Sequence, residues 1–71
     1  MKVDVKTLLQ DIEFEEFAAY NAEDFVKKRN LDEVEDAIET FVMNYRDKYN
    51  VDIDIETVKD ALKVYYSCKR I

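Results

Sequence analysis

Neither glycine nor proline occurs anywhere in the 71 residues. Glycine-rich phosphate loops and dinucleotide fingerprints need backbone without a Cβ, so both are excluded. Two-residue hairpins usually rely on Asn-Gly or Asp-Gly, and neither can be present. Turns must come from Asn, Asp and Ser, which favours a few long helices over many short strands. Histidine is also absent. That removes Ser-His and Cys-His pairs, the commonest general base and the commonest zinc ligand. The single cysteine, Cys68, cannot close an intramolecular disulfide, which excludes a disulfide-stapled secreted scaffold. Long apolar runs are lacking too, the longest being Phe17-Ala18-Ala19-Tyr20. A membrane span needs about 20 such residues and a signal-peptide core about 7–15. The expected location is therefore the cytoplasm.

What is present suits one small helical domain spanning residues 1–71. Hydrophobic residues make up 48% of the chain, including five tyrosines and four phenylalanines, so there is material for a core. A chain this short lies near the lower limit for a self-sufficient core, and pairing with itself or a partner is a common remedy. A homodimer is one such expectation. The formal charge is −6 and is unevenly spread. Residues 1–30 carry −2, residues 31–50 carry −4, and residues 51–71 are balanced. Direct attraction to nucleic acid or to an anionic membrane is disfavoured, and a basic partner is the simpler electrostatic expectation.

The clearest helix covers residues 31–49. Leu31, Val34, Ile38, Phe41, Val42, Tyr45 and Tyr49 recur at helical spacing. Asn30 stands as a cap with Glu33 three residues on, and Asn50 as a left-handed stop. A second helix follows Asp54, with Ile53 and Val58 at the positions of a hydrophobic staple and Val58, Ala61, Leu62 and Tyr65 as its stripe. Its start, residues 51–55, also alternates as a strand does, and so do residues 3–5; the two could pair. Before residue 29 two apolar faces compete. Val5, Leu8, Leu9 and Ile12 share one, and Phe14, Phe17, Ala18 and Phe25 share the other. The spacing predicts a phase break near residues 11–14. A short turn boxed by Thr7 and Gln10 comes before it. After it, a helix starting at Asp11 runs to about residue 29, with a kink near Asn21. The expected fold is all-α, a small three-helix bundle with a short pairing of residues 3–5 and 51–55 as the variant.

No cofactor is implied; a calcium site fails on its residues, and DNA binding and carboxylate catalysis are disfavoured. The Asp52-x-Asp54-x-Glu56 alternation invites a calcium loop, but counting from Asn50 puts Ile55 and Ala61 where such a loop needs Gly and a bidentate Glu. A turn and helix cap explain these acids. Lys59, Lys63 and Arg70, with Lys69 nearby, would give the C-terminal helix a basic face for DNA, but Glu56 and Asp60 sit at pairing distance from them. A carboxylate-only enzyme would need a cleft that so short a chain has little room to build. Cys68 reads as a packing residue, with only Lys69 and Arg70 near enough in sequence to activate it.

The remaining feature is a run of acids: Asp11, Glu13, Glu15, Glu16, Glu23, Asp24, Asp32, Glu33, Glu35, Asp36 and Glu39. Solvated helix faces and helix-dipole partners account for such residues in many small domains. Carboxylates spaced along helices can also occupy a basic groove meant for phosphates. Met43, which projects away from the apolar stripe, adds an adaptable contact. Small size, acidity and the lack of a catalytic constellation resemble, by composition alone, the small accessory proteins of phages and mobile elements. The expected function is a non-catalytic protein-binding module, a regulator or inhibitor of a larger basic protein that handles nucleic acid. The rivals are a small dimeric transcriptional regulator or antitoxin-like protein, and a structural subunit of an assembly. Reversing Glu35 and Glu39 to lysine is the electrostatic test that the sequence offers.

Overall fold

The computed structural model describes residues 2–69, the last of them by its backbone alone. They form four helices: α1 (Val5–Leu9), α2 (Ile12–Val26), α3 (Leu31–Tyr49) and α4 (Ile55–Lys69). The all-α expectation holds, with four helices in place of three. The N-terminal turn closes into a helix of its own because Asp4, rather than Thr7, caps it; its carboxylate accepts the Thr7 N–H at 2.9 Å. The expected strand pair is also corrected. Segments 3–5 and 51–55 meet at one parallel bridge between Lys2 and Asp52, where the Val3 N–H donates to the Asp52 carbonyl at 2.7 Å. The ladder goes no further because Asp4 and Asp54 each serve as N-caps and turn both segments into helices.

The competing faces before residue 29 belong to two helices. The break falls at Gln10, and Asp11 starts α2 by accepting the Glu13 N–H at 2.8 Å. Leu8 of α1 and Phe14, Ala18 and Ala22 of α2 then reach the same core. Ile12, grouped by spacing with α1, instead opens α2 on its outer side. α2 runs unbroken past Asn21, whose side-chain amide donates to the Phe17 carbonyl at 2.9 Å. It ends earlier than expected because Lys28 and Asn30 adopt left-handed backbone, with φ of 57° and 51°. In a glycine-free chain this reversal is made by residues for which the left-handed region costs roughly 1–2 kcal/mol. Asn30 does precede α3, but its left-handed backbone prevents the expected side-chain cap. Only its carbonyl is used, by the Val34 N–H at 2.9 Å, and no box with Glu33 forms among the described residues.

The end of α3 and the start of α4 follow the sequence closely. Asn50 is left-handed with φ of 52°, and its N–H donates to the Arg46 carbonyl at 2.8 Å. The Arg46 Nε then donates to the Ile53 carbonyl at 2.8 Å, tying the connection to α3. Asp54 accepts both the Thr57 N–H and hydroxyl, at 2.8 and 2.7 Å, while Ile53 and Val58 are fully enclosed as a staple requires.

α2 and α4 share the broadest contact, with small residues Ala18, Ala22 and Ala61 on their buried faces; α4 meets every other helix, whereas α1 and α3 do not touch. Phe14 lies at the centre, its ring 6.1, 6.0 and 6.4 Å from those of Phe17, Phe41 and Tyr65. The molecule measures 31 × 26 × 17 Å, so its thin direction holds about two layers of helix. Each long helix therefore keeps one whole face in solvent. Among the described residues, no helix is long and apolar enough to cross a membrane.

Candidate functional site

The eleven acids between Asp11 and Glu39 divide into two groups. Five are engaged within the molecule. Asp11 caps α2 and also accepts the Tyr45 hydroxyl at 2.5 Å. Glu13 accepts the Lys48 ammonium at 2.7 Å and the Tyr49 hydroxyl. These bonds hold its carboxyl below the usual carboxylate range, and the same contacts push Lys48 and Tyr49 up. Burial first, and then the Asp11 bond, pushes the Tyr45 hydroxyl well above the ordinary tyrosine range. Asp11 and Glu13 thus clasp the start of α2 to the end of α3. At the other end of α2, Glu23 takes Arg29 at 2.5 Å and Lys27 at 3.7 Å, and Asp24 takes Arg29 at 3.4 Å. The Arg29 bond and then the Lys27 charge lower the Glu23 pKa. Glu35 lies 4.0 Å from Lys59 of α4.

The other six, Glu15 and Glu16 on α2 and Asp32, Glu33, Asp36 and Glu39 on α3, are exposed and make no ion pair among the described residues. Asp32, Asp36, Glu39 and Met43 recur at intervals of four, three and four, on the side of α3 opposite Val34, Ile38 and Val42. Met43 is 63% exposed in this stripe. Asp47, four residues further on, extends it and is exposed as well. Sequence reading missed Asp47 because it followed the crowding of acids along the chain; spacing from Met43 was the available signal. At 1.5 Å per residue the stripe from Asp32 to Asp47 is about 22 Å long, with its four carboxylates about 7 Å apart on average. One strand of duplex DNA carries a charge per 3.4 Å of axis, so the stripe is a sparse counterpart of a phosphate backbone.

Local helix energetics account for only part of the stripe. Asp32 and Glu33 lie in the first turn of α3 and favour its dipole. Asp36 and Glu39 lie beyond that turn, and Asp47 lies near the negative end, where an acid is unfavourable. Asp32 with Asp36, and Asp36 with Glu39, are like-charge neighbours that each cost about 0.2–0.5 kcal/mol of helix stability.

Two further surface features lie outside the acid run. On the outer face of α2, Ile12 and Tyr20 are 72% and 86% exposed, with Glu16 between them at helical spacing. Their register opposite Phe14, Ala18 and Phe25 was the signal in the sequence. Near the α2–α3 turn, Phe25, Val26, Leu31, Lys28 and Lys63 line an open apolar groove of about 450 Å³. The basic face proposed for DNA is interrupted: Lys59 faces Glu35, Lys63 lines this groove, and Glu56 and Asp60 lie exposed on the same helix. Arg70 and the Lys69 side chain lie outside the described residues, and with them the suggested activators of the exposed Cys68. Among the described residues no group of three or more metal-ligating side chains forms.

No protein-family model matches the chain, and no curated protein or solved structure matches it either.

Proposed function

We propose that the chain is a non-catalytic protein-binding module of the cytoplasm. It acts as a regulator or inhibitor of a larger basic protein, through the outer face of α3. One observation carries this reading. The acids of that face are exposed and without ion-pair partners among the described residues, and they are kept at spacings that cost α3 stability. A basic groove would turn the same spacing into attraction, with Met43 supplying an adaptable apolar contact between carboxylates. A protein that handles nucleic acid has such a groove, where the stripe would occupy part of the phosphate track.

Affinity capture from the native host, followed by binding measured across a salt series, tests the proposal. Affinity falls as salt rises. Asp36→Lys with Glu39→Lys weakens it at least tenfold, which corresponds to about 1.4 kcal/mol. This pair replaces Glu35 and Glu39, because Glu35 lies beside Lys59. Unchanged affinity in the double reversal removes the reading.

The exposure of Ile12 and Tyr20 on one helix face favours a second reading, a subunit of an assembly. Sedimentation at several concentrations tests it. A monomer throughout counts against that role.

A further inference from the structure

Exposed apolar side chains on this molecule differ in the charges around them. Met43 lies among Asp36, Glu39 and Asp47, and Ile12 and Tyr20 flank Glu16. At the α2–α3 turn the groove is lined by lysines instead. Its floor is Phe25, Val26 and Leu31, the last two 37% and 39% exposed, and its charged lining is Lys28 and Lys63. Neither lysine makes an ion pair among the described residues, and nor do Lys6 and Arg46, whereas Lys2, Lys27, Arg29, Lys48 and Lys59 all do; only Lys28 and Lys63 of the unpaired four line the groove. In a chain of net charge −6, two unpaired ammonium groups beside one apolar groove are complementary to a ligand with an apolar body and an anionic head.

We infer that this groove binds a small amphipathic carboxylate of the medium-chain fatty-acid type. The volume of about 450 Å³ falls within the range of small-molecule sites. The lining, three apolar side chains and two lysines, matches one short alkyl chain and one anionic group, which is the chemistry of a small amphipathic acid. An anionic membrane is excluded by the acids close by. Asp32 and Glu33 line the neighbouring polar notch with Lys28, Asn30 and Leu31. They also set the pose: the alkyl body lies on Phe25, Val26 and Leu31, and the carboxylate points toward Lys63, away from the notch. The inference stands independently of the acidic face of α3, since its binding residues are others and of opposite charge; Asp32 alone is shared, and only as a charge that repels the head group.

Amide NMR titration of the intact chain with octanoate tests it, with octylammonium as the matched probe of opposite charge. Octanoate shifts the amides of Val26, Lys28, Leu31 and Lys63 and saturates in the millimolar range expected for a ligand of this size. Octylammonium leaves them unmoved and shifts amides near Met43 or Tyr20. Lys28→Gln with Lys63→Gln, both at exposed positions, weakens octanoate about threefold, mostly through Lys63, which the carboxylate faces. Equal shifts with both probes overturn the inference. So does octanoate that perturbs the Met43 and Tyr20 regions as strongly as the groove, or unchanged affinity in a double variant with a wild-type spectrum.

Discussion

The acids that start α2 and the acids on the outside of α3 are chemically alike and thermodynamically opposed. Asp11 and Glu13 are held by a backbone N–H, two tyrosine hydroxyls and a lysine, and they join two helices. Asp32, Asp36 and Glu39 have one another as charged neighbours along their face, Asp47 extends it, and none of the four makes an ion pair among the described residues. Acidity in this chain is therefore two properties: one group of carboxylates maintains the fold, and the other weakens its own helix and faces outward. The contrast is sharpest at Asp11. Asp11→Ala removes the cap of α2 and leaves the buried Tyr45 hydroxyl without its acceptor. A lost cap costs about 1 kcal/mol and an unsatisfied hydroxyl about 1–3. Thermal denaturation should show a loss of about 2–3 kcal/mol, a melting temperature lower by about 10–20 °C. A loss below about 0.5 kcal/mol would erase the distinction between the two groups.

The same contrast has a pH signature. Glu13, Glu23, Asp4 and Asp54 all titrate below their ordinary range when folded, through the hydrogen bonds of Lys48, Arg29, Thr7 and Thr57 respectively. A carboxylate with a depressed folded pKa contributes stability above its unfolded pKa, and that contribution is lost as pH falls through the folded value. Stability should thus decline below about pH 4, the unfolded range of Asp and Glu. Tyr45 and Tyr49 shift the other way: their contribution is full below about pH 10 and is lost as pH rises through their raised folded values. Urea midpoints across pH read both limbs. Glu13→Gln should lower the midpoint near neutral pH and flatten both limbs, the alkaline one because the Glu13 bond is the main cause of the raised Tyr49 pKa. An acid limb identical to wild type would show that the Glu13 bonds contribute nothing.

How far all this could be read from the chain differs between these same regions. The start of α4 was fully legible: Asp54, Ile53 and Val58 carry a cap and a staple within six residues, and both operate. Asn50 as a left-handed stop was legible for the same reason, since local backbone chemistry decides it. Asn30 misled. The same residue type stands before α3, but the reversal from α2 without glycine needs its backbone in the left-handed region, and that removes its side chain from the cap. The strand reading of residues 51–55 failed because alternation cannot tell a strand from a capped helix start. The tertiary partners of the clasped acids were not legible. Asp11 meets Tyr45 and Glu13 meets Lys48 across 34 and 35 residues, which no local pattern reports. The stripe through Asp47 was available in the helical spacing once the acids were counted by face.

Neutralising the outer acids should raise stability where removing the clasped ones lowers it. Asp36→Asn with Glu39→Gln relieves two like-charge contacts within α3, each about 0.2–0.5 kcal/mol. A gain of about 0.5–1 kcal/mol is expected, a melting temperature higher by roughly 2–8 °C. The gain should shrink in high salt, where exposed charges are screened. A destabilised double variant would mean that these acids are engaged within the fold, and the outer face would lose its claim to be a binding surface.

The smallest effect comes from the most exposed apolar residues. Phe14 and Ile12 are two residues apart on α2, one fully enclosed and the other 72% exposed. Tyr20 is more exposed still, at 86%. Replacing Ile12 and Tyr20 with serine removes little that folding buries, so stability of the isolated chain should stay within about 0.5 kcal/mol of wild type. If this face contacts another copy, the wild-type melting temperature will rise with protein concentration and that of the double variant will not, because association stabilises the folded state by mass action. If the face is idle, neither will depend on concentration. A loss of more than 1 kcal/mol at low concentration would have a different meaning. Ile12 and Tyr20 would then be covered by the chain itself in solution, and α2 would have two buried faces.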